Sequence, residues 1–238
     1  MRPLINIVMK VIYKGYVYEQ LEDRHIIRFN RGNFNNMSVV PTLEVDNNSK
    51  PTTNSLGLPI AKTPEGISNF WNWFGNSVTV DEKGQPVVFY HGTYTDFDEF
   101  QHIWDREDFD ADNDYSEGYN GGNLGVGFYF TKNEEYAKRF GRLKKYYLKI
   151  TNLYDLTDET NISELNERYD EEQEELAYGM MGEVIDDIIK ENKYDGVYAM
   201  GAGGLSYGTD EWTVLSSSQI KSVENSGEFS NTPNVNKE

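Results

Sequence analysis

The chain has 238 residues, with 40 Asp and Glu against 22 Lys and Arg, a net charge of −18 and no cysteine. That length holds one good-sized domain with appendages, and the acidity argues against direct nucleic-acid or anionic-membrane binding, both of which rely on clustered Lys and Arg. The lack of cysteine excludes disulfides, a thiolate zinc site and a cysteine nucleophile, and the longest apolar stretch, residues 4–9, is far short of the ~20 residues of a membrane span.

Residues 1–32 alternate apolar and polar side chains, with Ile5, Ile7, Val11, Tyr13, Tyr16 and Tyr18 as apolar members, which predicts short strands. Residues 33–62 are rich in Asn, Ser, Thr and Pro without periodicity and read as a linker, so residues 1–60 form an extension ahead of a domain over 61–230. From Thr63, Thr-Pro-Glu-Gly opens a helix carrying Ile67, Phe70, Trp71 and Phe74 at helical spacing before Gly75, an aromatic stripe expected to be core. Gly84-Gln85-Pro86 then precedes Val87-Val88-Phe89-Tyr90, expected to be a buried strand that delivers His91 at its end.

A polar loop runs to Asn123, with ten acids and one Arg between residues 94 and 120, and is expected to be solvated. Strands over 125–131 and 145–150 flank a short helix over 133–140 closed by Gly141, with Glu134 and Glu135 suited to its first turn. Residues 162–191 read as helical, with Val184, Ile185, Ile188 and Ile189 as the apolar stripe. A strand over 197–200, a glycine-rich turn over 201–208 and a strand over 212–215 form a hairpin. Residues 226–238 are polar and expected to fray, leaving 231–238 as a tail.

Only three histidines occur, and His91 is distinguished by the Gly and Thr that follow it, where a backbone can approach a ligand without a Cβ in the way. The run Gly125-Val126-Gly127-Phe128-Tyr129-Phe130-Thr131 fails as a dinucleotide fingerprint, because the third glycine, the following helix and the leading strand are all missing. In the acidic loop, Asp110-x-Asp112-x-Asp114-x-Ser116 begins like a calcium loop, but Tyr115 stands where glycine is needed and Gly121 where the bidentate Glu belongs. No metal is expected. The pair Asp210-Glu211 is ordinary in a turn and matters only in combination with the other motifs.

That combination resembles a known family. His91-Gly92-Thr93 after an apolar strand, the Gly-x-Gly-x-Tyr-Phe-Thr strand with Tyr129, and Asp210-Glu211-Trp212-Thr213-Val214-Leu215 before Gln219-Ile220-Lys221 look like ADP-ribosyltransferases of the His-Tyr-Glu, diphtheria-toxin-like type. Asn69-Phe70-x-x-Trp73-Phe74-Gly75-x-Ser77 upstream, and Asn225-x-Gly227-x-Phe229 downstream, resemble more closely the transferase domains of phage and mobile-element polyvalent proteins. The resemblance implies an α/β (α+β) fold: a split, mostly antiparallel sheet forming a cleft, flanked by helices. It implies NAD as the substrate, a macromolecular acceptor, action as a phage- or mobile-element-associated effector, and a bacterial host cytoplasm as the compartment.

Cleaving the nicotinamide–ribose bond passes through an oxocarbenium-like state, so the site must hold the nicotinamide, fix the ribose and place negative charge beside the developing cation. By resemblance, His91 hydrogen-bonds the adenosine ribose, the Gly92 backbone receives the nicotinamide carboxamide, Thr93 adds a hydroxyl, Tyr129 and Phe140 stack on the nicotinamide ring, and Glu211 binds the ribose 2′-OH and activates the acceptor. Arginine-modifying relatives carry Glu-x-Glu, whereas Thr209 stands two before Glu211, so an arginine acceptor is disfavoured. Polymerising relatives use the residue before the glutamate to position it, and Asp210 stands there, which leaves single transfer as the expectation. The rival readings are an NAD glycohydrolase that uses water as acceptor, and an inactive acidic protein that binds a partner or mimics nucleic acid.

Overall fold

The computed structural model describes residues 7–13, 16–21, 26–29, 38–40, 45–46, 48–102, 122–175, 181–200 and 209–235. The glycine-rich turn 201–208 and most of the acidic loop, including Asp110, Asp112 and Asp114, lie outside the described residues. The chain divides after Val45 into two units. In the first, the alternating pattern forms four strands, β1 (Ile7–Tyr13), β2 (Tyr16–Leu21), β3 (Ile26–Phe29) and β4 (Ser38–Val40), paired antiparallel in sequence order.

The second unit begins well before the boundary that composition indicated. Asn54 and Ile60, placed by their polar surroundings in a linker, are buried, and Asn54 Nδ2 donates to the Tyr147 hydroxyl at 2.8 Å. Helix α1 (Pro64–Phe74) starts where its signals stand: Pro64 fills the first turn, and Thr63 Oγ1 accepts from Gly66 N–H at 3.0 Å. It buries Phe70, Trp73 and Phe74 against Val88, Tyr147 and Phe229, each such side chain stabilising the fold by about 1.5–3 kcal/mol.

Two sheets carry the rest. The smaller orders β11 (Ile220–Ser222), β7 (Arg142–Leu148) and β5 (Phe89–Thr93), all antiparallel. The larger orders β6 (Phe128–Phe130), β10 (Asp210–Val214), β9 (Gly196–Met200) and β8 (Leu153–Asp155). Its one parallel pair, β8 with β9, is joined through α3 (Glu159–Glu175) and α4 (Met181–Asn192), as a parallel connection demands. The apolar stripe Val184, Ile185, Ile188 and Ile189 of α4 packs on Tyr154, Val197 and Ala199 of that sheet. Phe89, Tyr146 and Ile220 from one sheet share a second cluster with Phe128, Phe130, Trp212 and Val214 from the other. The fold is therefore α+β with a split, mostly antiparallel sheet. Among the described residues, no helix is long and apolar enough to cross a membrane.

Residues 226–235 do not fray. Phe229 and Val235 are buried, Ser222 N–H donates to Val235 O, Val235 N–H donates to Asp98 O, and the fully buried Lys221 ammonium donates to the carbonyls of Thr232 and Asn234. Two isolated apolar residues in a polar stretch have no periodicity, yet each fills a core and ties the segment down.

Candidate active site

Strand β5 runs through Thr93, so His91 sits in mid-strand rather than at its end; the ladder to β7 continues past the apolar run because hydrogen bonding does not depend on side-chain polarity. In an antiparallel strand, alternate residues send both backbone groups to the same side. Phe89, His91 and Thr93 address β7, while Tyr90 turns the other way, exchanging two bonds with Thr131 at 2.8 and 3.1 Å. Among the described residues, this bridge from Tyr90 to Thr131, the residue that follows β6, is the only rung between the two segments. Gly92 has the same parity as Tyr90, and continued pairing would set it against Tyr129. Instead the Tyr129 carbonyl is taken by His91 Nδ1 at 2.9 Å. The sheet splits there, leaving the N–H and C=O of Gly92 directed at the opening with no ladder bond on that edge among the described residues.

The opening is a cleft of about 340 Å³ lined by Tyr90, His91, Gly92, Tyr129, Tyr136 and Glu211 among others. It brings together His91, Gly92, Tyr129, Phe140 and Glu211. Thr93 does not line it: the Thr93 hydroxyl donates to the Thr95 carbonyl at 3.1 Å and accepts from Thr95 N–H at 3.2 Å.

Because a carbonyl can only accept, His91 Nδ1 carries the proton, and a neutral ring then presents Nε2 as an acceptor. Burial among Phe97, Phe100, Phe130 and Tyr146 pushes the His91 pKa below its ordinary value, with the bond to Tyr129 opposing, so the neutral ring prevails at neutral pH. At Gly92 any Cβ would collide with the Ala137 carbonyl and Phe140, which fixes how closely the short helix approaches the strand.

The expected strand over 125–131 is a strand only from Phe128; before it, Gly122 and Gly125 exchange backbone bonds in a turn, with Gly125 at φ 86°. The Tyr129 hydroxyl locks this turn, donating to Gly125 O at 2.6 Å and accepting from Leu124 N–H at 3.1 Å. Burial pushes the Tyr129 pKa well above its ordinary value, so it stays a phenol, and its side chain lines the cleft. Phe140, half exposed at the end of the 3-10 turn Lys138–Phe140, stands at the margin.

Adjacent carboxylates on β10 go separate ways. Asp210 accepts from the Thr131 hydroxyl at 3.0 Å, Lys132 N–H at 2.8 Å and Trp212 Nε1–H at 3.0 Å. Glu211, only 9% exposed, lines the cleft, and its Oε1 accepts from the Tyr136 hydroxyl at 3.1 Å. Burial raises the Glu211 pKa above its ordinary value, the Tyr136 bond opposes, and the charge of Asp210 adds to the rise. Tyr136 is a lining residue that the motifs missed, as are Gly122, Asn123 and Ala137. Its signal was present: Asn133 caps helix α2 (Glu134–Ala137), and from that start residues 136 and 140 fall on one helical face.

Residues 81–229, more than half of the chain, match the family described as ADP-ribosyltransferase in polyvalent proteins. No curated protein and no solved structure matches the chain.

Proposed function

The chain belongs to the ADP-ribosyltransferases of polyvalent proteins, and we propose from that premise that it cleaves the nicotinamide–ribose bond of NAD and transfers a single ADP-ribose to a protein acceptor. The broken ladder between β5 and β6 carries this reading. A primary carboxamide has one acceptor and two donors, and the edge that Gly92 leaves open offers a complementary N–H and C=O. Tyr129 and Phe140 supply ring faces for nicotinamide. His91 Nε2, held as an acceptor, takes a hydroxyl of the adenosine ribose.

Among the described residues, Glu211 is the one carboxylate lining the cleft. In the reaction the C1′–N bond breaks with its electron pair leaving on neutral nicotinamide, and Glu211 hydrogen-bonds the ribose 2′-OH while its charge stabilises the cationic sugar. The acceptor then attacks C1′ and loses its proton, for which a carboxylate with a raised pKa is the better base. Asp210 is turned away and fully engaged, which supports single transfer over chain elongation. The chain's net charge of −18 favours a basic protein surface as acceptor. No metal takes part in the proposed chemistry. As a member of a phage or mobile-element system, the protein acts in the bacterial host cytoplasm.

The test is incubation of the pure protein with labelled NAD and host lysate. Nicotinamide release with label on protein supports transfer; release without label makes the protein an NAD glycohydrolase. Absence of both release and NAD binding contradicts the proposal and favours an inactive partner-binding protein.

A further inference from the structure

We infer that Tyr136 is a positioning residue for Glu211: its hydroxyl, held in place by the β6–α2 connection, donates to Oε1 and fixes the direction in which the carboxylate faces the cleft. This rests on the NAD chemistry proposed above only for its catalytic consequence; the bond itself is a property of the fold.

The support for Tyr136 is continuous from β10 back to β10. Asp210 accepts from the Thr131 hydroxyl and from Lys132 N–H, which pins the end of β6 to the strand that carries Glu211. Thr131 Oγ1 in turn accepts from Asn133 N–H at 3.0 Å, and Asn133 Oδ1 accepts from Tyr136 N–H at 3.0 Å. The phenol ring meets Phe140 edge-on at 5.3 Å and lies under the Arg139 guanidinium at 5.6 Å, so two neighbours on the same short segment fix its plane. The hydroxyl then returns to Glu211 at 3.1 Å, and both partners are buried. Asp210 and Glu211 thus cooperate without touching the same group: one carboxylate holds the platform, and the platform holds the other.

Among the described residues, the titratable groups around Glu211 are Asp210 beside it on β10, Tyr129 on β6, Tyr136 on α2, and Tyr90 and His91 on β5. Burial and Asp210 favour the protonated carboxyl, and of the interactions at Glu211 the Tyr136 bond alone favours the charged form. A donor lost from a buried carboxylate raises its pKa and frees its orientation.

Two measurements decide the matter. NMR titration of carboxyl-labelled glutamate should place Glu211 about one pH unit higher in Tyr136→Phe than in the wild type. Steady-state nicotinamide release should show kcat about tenfold lower with KM nearly unchanged, and an acid limb displaced upward by the same unit. Phe keeps the ring packing, so the fold is retained; Asn133→Ala, which touches neither the cleft nor Glu211, should move the titration the same way by less. Unchanged Glu211 titration in both variants overturns the inference, whatever the activity. A wild type that releases no nicotinamide contradicts the NAD reading instead, while the titration still decides the bond.

Discussion

The two faces of β10 show how one strand separates stability from chemistry. On one, Asp210 meets donors from Thr131, Lys132 and Trp212, with the Thr209 hydroxyl at 3.5 Å as a fourth, and Trp212 stacks on Tyr198 at 4.2 Å and meets Phe89 edge-on at 5.2 Å. On the other, Glu211 is equally buried but has a single phenolic donor and an open cleft in front of it. A satisfied buried charge contributes to the fold, whereas an under-satisfied one costs stability and persists where function demands it. Sequence neighbours of the same chemical type therefore carry opposite roles.

The largest effect that sharpens this contrast is on catalysis. Glu211→Gln should lower nicotinamide release by about 10²–10³-fold, the size of loss seen when one group that stabilises transition-state charge is removed. Circular dichroism and thermal unfolding should find it folded. Asp210→Asn should do the reverse, since an amide places a donor where the carboxylate met only donors: denaturant unfolding should register a loss of about 1–3 kcal/mol, with activity falling less than in Glu211→Gln. Equal instability in the two variants would erase the distinction.

A smaller effect concerns affinity. Phe140→Ala removes one ring face from the margin of the cleft and should raise KM for NAD several-fold, equivalent to about 1 kcal/mol, with kcat little changed. The smallest effect is on pH-dependent stability. A carboxyl whose folded-state pKa lies above its unfolded value stabilises the fold fully below the unfolded value, and that contribution fades as pH rises through the folded one. At neutral pH the ionised Glu211 is thus a burden, and Glu211→Gln should melt about 2 °C higher than the wild type, the gap closing in acid. A Tm lowered at neutral pH would show that Glu211 is a structural carboxylate like Asp210.

The same contrast explains what the sequence made legible. His91, Tyr129, Phe140 and Glu211 were accessible because the order and spacing of their motifs resemble those of a known family, and all four line the cleft. Tyr136 escaped because its role depends on the register between a four-residue helix and β10, 75 positions away in the chain. Thr93 shares a motif with His91, yet its hydroxyl closes a local turn with Thr95, a choice that spacing does not reveal. Helix α1 was readable from its cap and aromatic stripe, whereas the burial of Asn54, Phe229 and Val235 depends on single contacts that leave no period. The three-residue strands β8 and β11 fell below the length at which alternation can be seen.

In the proposed function, the split in the sheet lets the Gly92 backbone receive a carboxamide beside Glu211. A crystal structure of the Glu211→Gln protein with NAD tests it most directly, because the slowed variant retains intact substrate. The nicotinamide carboxamide is expected on Gly92 N–H and C=O, its ring against Tyr129 and Phe140, and a ribose hydroxyl on His91 Nε2. NAD bound elsewhere, or bound with Gly92 untouched, would contradict it.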